Sequence, residues 1–181
     1  HDTNVNEEEQ TTHTITKESV EIAIKALALS KSPGIDGIQP EFYKYGIEQL
    51  ADPLTNLFNQ CISKGNIPDE WKTALLNPVY KKGDPNLAAN YRPIAMTCVV
   101  RRIYERCIYL QWIKKWEQSL QDTQGGFRAN RSTLQQILAL HETLSSNKCE
   151  TAPMDLKAAY DTVPRNILWS KLRTRCLNSS I

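Results

Sequence analysis

Two short runs with strand chemistry, Thr73 to Tyr80 and Tyr91 to Met96, flank a Lys81-Lys82-Gly83-Asp84-Pro85 reversal, and this arrangement restricts the fold more than any other feature. Together they predict a β-hairpin with basic residues near its tip. Most of the chain on either side has helical rather than alternating period, so the expected class is α+β, with helices around a small antiparallel sheet.

The helices can be placed from their own signals. Thr16, followed by Lys17, Glu18 and Ser19, has the form of a helix start, and Val20, Ile22, Ala23, Ile24, Ala26 and Leu27 extend it as an apolar stripe to about Leu29. The stretch Ser32-Pro33-Gly34-Ile35-Asp36-Gly37 is dense in turn formers and reads as an ordered loop, after which Pro40 opens a helix carrying Phe42 and Tyr43. From Ile47 to Ser63, Leu50, Leu54, Leu57, Phe58, Cys61 and Ile62 recur at helical spacing, with Gly65 as the stop. Residues 98–118 predict a long amphipathic helix in which Val99, Ile103, Cys107 and Leu110 oppose Arg101, Arg102, Arg106 and Lys115. Another, from about Ser132 to Ser145, carries Leu134, Ile137, Leu138, Leu140 and Leu144. An apolar stretch at Ala152 to Leu156 and a helix from about Pro164 to Cys176 complete the pass.

Charge divides the chain. Residues 1–60 carry 4 Lys/Arg against 10 Asp/Glu, whereas residues 61–181 carry 18 against 10. A basic second half interleaved with Trp and Tyr suits a polyanion such as nucleic acid. A solvated basic face accounts for the same numbers. The five cysteines are far apart and never form a CxxC pair, which argues against a zinc site or a disulfide framework and for reduced thiols. No apolar run approaches a membrane span, and residues 1–14 read as a flexible polar lead-in, so a soluble chain in the nucleus or cytoplasm is expected. His1, His13 and His141 are poorly placed for a general base, which weighs against an unrelated small enzyme.

Taken in order, SPGIDGI, NPVYKKGD, NYRPIAM, QGGFRANRST and MDLKAAYDTVPR resemble successive blocks of the non-LTR, LINE-type reverse transcriptase family. The resemblance covers about residues 20–175. It implies a partial right-hand polymerase: residues 15–181 would hold helical fingers with a small antiparallel sheet and the start of the palm. It also implies Mg²⁺ as cofactor, and an RNA template, a nucleic-acid primer and deoxynucleoside triphosphates as partners. Sequence leaves the oligomeric state open.

Within the last block Asp155 matches the family's catalytic, metal-binding aspartate, and the carbonyl of Leu156 matches a second metal contact. Hard oxygen donors suit Mg²⁺. Tyr160 matches the aromatic that crowds the sugar 2′ position, and Asp161 is read as a structural residue bonding nearby amides. Lys81, Lys82 and Arg92 match positions where the fingers hold the incoming triphosphate. The planar fork of Arg92 can grip two phosphate oxygens, whereas sequence does not choose between the two lysines. Phe127 and Arg128, with Gln124, Gly126 and Arg131, match the segment that joins fingers to palm beside the nucleotide pocket. Pro33, Gly34, Asp36 and Gly37 match a block lying along the template, but an ordinary structured turn is the favoured reading of them.

Two departures temper the resemblance. The family's second carboxylate motif is an Asp-Asp pair, and no such pair occurs in these 181 residues. The segment leading into Asp155 is short and polar, and Pro153 would remove a ladder donor from a strand there. The expectation is therefore a reverse transcriptase fragment that is not catalytically complete alone. The alternative is a non-catalytic RNA-binding module derived from the fingers.

Overall fold

Thr16 opens the first helix in the expected way, its extended backbone (φ −92°, ψ 157°) turning its hydroxyl back to accept the Ser19 N–H at 3.3 Å. The computed structural model describes residues 14–146, 152, 159, 160 and 162–177. They form two units, one ending at Gln121 and one beginning at Asp122. The first contains α1 (Lys17–Lys25), α2 (Pro40–Tyr45), α3 (Ile47–Lys64), β1 (Ala74–Tyr80), β2 (Tyr91–Thr97) and α4 (Val99–Ser119); the second contains α5 (Thr133–Ser146) and α6 (Arg165–Leu177). The α+β expectation is met: a helical bundle accompanies a two-stranded antiparallel sheet.

The α1 helix stops at Lys25, four residues short of the extent its apolar stripe suggests. The correction has a local cause. Leu27 bonds back to Ile24 in a tightened turn, and its own carbonyl accepts the Lys44 ammonium at 2.8 Å, so it is not free to continue the helix. Ser30 then turns into the left-handed region (φ 56°) with its N–H on the Glu41 carboxylate. That bond holds Glu41 below the usual carboxylate range.

The first unit's core lies between α1, α3 and α4. Val20, Ala23 and Ile24 meet Leu54, Phe58 and Cys61 on one side and Val99, Ile103, Tyr104 and Cys107 on the other. Phe58, Trp71 and Tyr104 form an aromatic triangle with centroids 5.2 to 6.0 Å apart, each pair adding about 0.5–1.5 kcal/mol beyond its buried area. Trp71 reaches it from a short 3₁₀ turn, Asp69–Lys72. Asn59 ties the segment before α1 to α3, accepting the Ile15 N–H at 2.8 Å and donating to its carbonyl at 2.9 Å. Gly65, at φ 61°, ends α3 as predicted, and Asn66 donates to Cys61 across it.

The loop containing Gly34 packs backbone against backbone. A Cβ there would sit 2.4 Å from the Cys98 nitrogen, so no larger residue fits without moving the start of α4. Gly37 is left-handed at φ 68°, and Asp36 accepts the Ile38 N–H at 3.3 Å. A built turn accounts for this segment by itself.

Strands β1 and β2 pair from Ala74↔Thr97 to Tyr80↔Tyr91, with Pro78 opposite Pro93. Each proline withholds a ladder donor, which is tolerable in a two-stranded ribbon because both strands are edges. Leu76, Val79 and Ile94 remain exposed.

In the second unit Ser132 caps α5 reciprocally: its hydroxyl accepts the Gln135 N–H at 3.3 Å while the Gln135 side chain accepts the Ser132 N–H at 3.0 Å. The apolar positions of α5 are all exposed, so its stripe faces no described core. The expected apolar stretch at 152–156 and the block at 154–161 lie outside the described residues, except for Ala152, Ala159 and Tyr160.

Cys61, Cys98 and Cys107 are buried free thiols. Burial pushes Cys107 up to about 11 and raises Cys61 as well, which disfavours thiolate chemistry at both. No helix among the described residues is long and apolar enough to cross a membrane.

Candidate functional site

The hairpin tip is built by residues that turn their polar atoms inward. Tyr80 donates its hydroxyl to the Gly83 carbonyl and Tyr91 donates to Pro85 at 2.8 Å, with the two rings edge to face at 5.6 Å. Asn90 is the hub: its amide donates to the Asp84 carbonyl at 2.8 Å, its N–H to Leu87 at 2.9 Å, and its carbonyl accepts the Lys81 N–H at 2.8 Å. Asp84 closes an Asx turn on the Asn86 N–H at 2.9 Å. Gly83 is left-handed at φ 99°, and a Cβ there would meet the Asn90 amide nitrogen at 2.7 Å.

The cations are what this framework leaves outside. Arg92 pairs across the ribbon with Val79, and strand alternation puts both on the face opposite Tyr80 and Tyr91. The Lys81 N–H continues the ladder, so Lys81 falls on the Arg92 side. Lys81, Lys82 and Arg92 are all exposed, and no ion pair among the described residues engages any of them. Three positive side chains thus project from a backbone that is itself tied down.

In the second unit the segment 122–132 is a turn closed by Arg131 on Asp122 at 3.0 Å. Gln124 donates to the Gly126 carbonyl at 3.2 Å, and Arg128 donates to the Gln124 carbonyl at 3.3 Å. Between them Phe127 has φ 61° and is 94% exposed. A bulky L residue in that region costs about 1–2 kcal/mol. Its ring meets Tyr160, itself 79% exposed, edge to face at 6.4 Å and 87°. Two large aromatic rings are thus held together outside any described core, one on a strained backbone, which is a pattern of ligand-facing positions.

Of the residues singled out from sequence, the structure gathers Lys81, Lys82 and Arg92 on one hairpin and brings Phe127 to Tyr160. Asp155, Leu156 and Asp161 lie outside the described residues. Among the described residues no group of three His, Cys, Asp or Glu side chains could hold a metal ion. Sequence reading overlooked the tip's supports, Tyr80, Asp84, Asn90 and Tyr91. The Asp84-Pro85-Asn86 spacing carried the signal, since Asp two residues before an available N–H is the Asx-turn pattern. Two cavities of about 430 and 420 Å³ open beside the end of α3, near Cys61, Asn66 and Ile67, and include none of the singled-out residues.

Comparison with known proteins gives these positions a common setting. Residues 79–180 match the reverse transcriptase (RNA-dependent DNA polymerase) family. The probable RNA-directed DNA polymerase from transposon BS of Drosophila melanogaster is 30% identical over 164 residues, which span 86% of this chain and 18% of that protein. The RNA-directed DNA polymerase from mobile element jockey of the same species is 28% identical over 82% of this chain and 17% of its own length. The Pol polyprotein from type-1 retrotransposable element R2 of Popillia japonica is 25% identical over 88% and 22%. This chain therefore spans about a fifth of the length of these relatives. Since the family match runs through more than half of the chain and takes in every candidate site residue on the hairpin, the turn and the 154–161 block, the chain belongs to the reverse transcriptase family, of the non-LTR retrotransposon kind.

Proposed function

We propose that this chain is the nucleotide- and template-handling part of an RNA-directed DNA polymerase, acting on deoxynucleoside triphosphates, an RNA template and a nucleic-acid primer. The observation that carries the reading is the hairpin tip, where Lys81, Lys82 and Arg92 stand unpaired on a backbone tied down by Tyr80, Asn90 and Tyr91. Arg92 grips two oxygens of a phosphate and the lysines add point charge. In the second unit Phe127 and Arg128 border the nucleotide, and Tyr160 packs against the sugar where a 2′ hydroxyl would sit. The strain at Phe127 supports that role.

Asp155 and the carbonyl of Leu156 supply the hard oxygen donors that suit Mg²⁺, so this donor set fits the ion by its chemistry. Bound there, Mg²⁺ would neutralise charge developing on the transferred phosphate. Holding two such ions takes further carboxylates, and the sequence contains no Asp-Asp pair. Polymerisation therefore needs a carboxylate pair from outside these residues, and this chain alone binds nucleic acid without extending a primer.

The test is primer extension on an RNA template with Mg²⁺, with RNA retention followed across a salt series. The expected result is retention at low salt, no extension, retention unchanged in Asp155→Ala, and a salt slope shallower by about 2 in the Lys81→Ala, Lys82→Ala, Arg92→Ala triple variant. Extension abolished by Asp155→Ala would overturn the division of labour. Failure to retain RNA at low salt would overturn the reading itself.

A further inference from the structure

Tyr109, Trp112 and Trp116 recur at intervals of three and four on α4 and share a helical face with Arg106. This face does not build the core. Ile103, Tyr104 and Cys107 are buried against α1 and α3, and Gln111 on that side donates to the Thr14 carbonyl at 3.0 Å, so the aromatic stripe lies nearly half a turn away. The Trp112 and Trp116 rings stack at 6.4 Å and 25° and are half-buried, while Tyr109 is exposed. The Arg106 guanidinium sits 5.1 Å over the Tyr109 ring.

Arg106 brings a positive charge to this face. Glu105 is engaged by Arg101 at 2.7 Å, and no carboxylate among the described residues pairs with Arg106. Along α4 the sequence places five Lys or Arg against two Glu. Planar rings in series beside a guanidinium that no described carboxylate engages match one kind of occupant, a single nucleic-acid strand, whose bases stack on the rings while a phosphate meets the charge. An aliphatic protein surface would answer neither the ring faces nor the charge.

We propose that Arg106, Tyr109, Trp112 and Trp116 form a stacking subsite on α4 for single-stranded nucleic acid, apart from the phosphate-facing cations of the hairpin. The proposal rests on the nucleic-acid reading given above and extends it to a surface that reading does not use. Stacking is indifferent to base identity, so the subsite grips a strand without reading its sequence, and the ring contacts, unlike the Arg106 charge, contribute little to salt dependence.

The experiment titrates the full chain with a uridine 12-mer and with an RNA duplex of the same length, reading tryptophan fluorescence and the salt slope. The single strand is expected to quench the fluorescence and to bind more tightly than the duplex. Trp112→Leu and Trp116→Leu should each lose about tenfold in affinity at an unchanged salt slope, and Trp112→Phe and Trp116→Phe should recover most of it. Lys81→Ala with Lys82→Ala should do the opposite, flattening the slope while leaving the quenching at saturation intact. Circular dichroism confirms that each variant keeps its helices; where a leucine variant does not, the phenylalanine variants and the quenching carry the test. Binding without quenching, leucine variants that bind like the parent, or equal affinity for duplex would each overturn the subsite alone. Concentration-dependent self-association abolished by the leucine variants would also overturn it, in favour of a protein occupant. A parent chain that binds no RNA at low salt would remove both this subsite and the reading beneath it.

Discussion

The two units use the same kind of sequence to different ends. In α3 and α4 an apolar stripe at helical spacing ends in a core, with Phe58, Ile103 and Cys107 fully buried. In α5 a stripe of similar composition, Leu134, Ile137, Leu138, Leu140 and Leu144, stays exposed. Both form helices, because periodicity and caps act locally. Only the first stripe meets facing stripes of matching shape. A helical pattern thus records an intention to bury a face, and burial requires a second surface.

The largest effect that could break this contrast comes from truncating one residue of each kind. Phe58→Ala removes a member of the aromatic triangle and should cost about 3–5 kcal/mol in denaturant unfolding. Leu138→Ala, on the exposed stripe, should cost at most about 0.5 kcal/mol. Comparable losses for both would mean that α5 is buried in solution.

Glycines sharpen the comparison at somewhat smaller scale. Gly34→Ala forces a Cβ against the backbone of Cys98 and should destabilise by about 1–3 kcal/mol. Gly126→Ala meets its nearest atom, on the Gln124 side chain, at 3.6 Å and should be close to neutral. Equilibrium unfolding of the two variants decides between them.

Alkaline pH probes the first unit selectively, since its buried ionisable groups have no described counterpart in the second. Burial raises Cys107 from 9.0 to about 11, and burial, with Asp36 and Cys98 adding to it, raises Tyr43 from 10.0 to about 12. Both are neutral when protonated, so the unfolded chain loses these protons first. The stability they contribute is fully present below pH 9 and is lost as the pH climbs through 11 and 12. The Tm should fall steadily from pH 9 to 12, and Cys107→Ala should flatten the part between 9 and 11. A flat Tm would mean that neither group is shielded in the folded state.

The smallest effect is at the strained aromatic. Phe127→Gly relieves a left-handed backbone and removes a ring that buries almost nothing, so stability should rise by about 1 kcal/mol or stay level. Nucleotide binding should weaken in the same variant, as the role proposed for Phe127 requires. A variant that loses stability would show that Phe127 is packed rather than presented.

Much of this was legible in the chain itself. The Thr16 and Ser132 caps, the Gly65 stop, the hairpin and its register-setting reversal all rest on interactions within a few residues, and they stand where the sequence puts them. The proposed site residues are legible only as motifs: the Lys81-Lys82 tip, Arg92 and the Phe127 segment stand out through their blocks and not through any local structural signal. The tip's framework is not legible in the same way, because Tyr80, Asn90 and Tyr91 act through side chain to backbone bonds that leave no periodic trace. The end of α1 is hidden for a related reason, since the Lys44 bond that holds the Leu27 carbonyl comes from 17 residues away.

By itself, then, the sequence determined the helices, the hairpin, the division of charge and the family, all of which depend on local propensity or on motifs read in order. Tertiary structure alone decided which apolar stripes become core, that Gly34 must lie against Cys98, and that Phe127 stands strained against Tyr160. These outcomes depend on which surfaces meet in space, and no spacing along one chain segment encodes its partner.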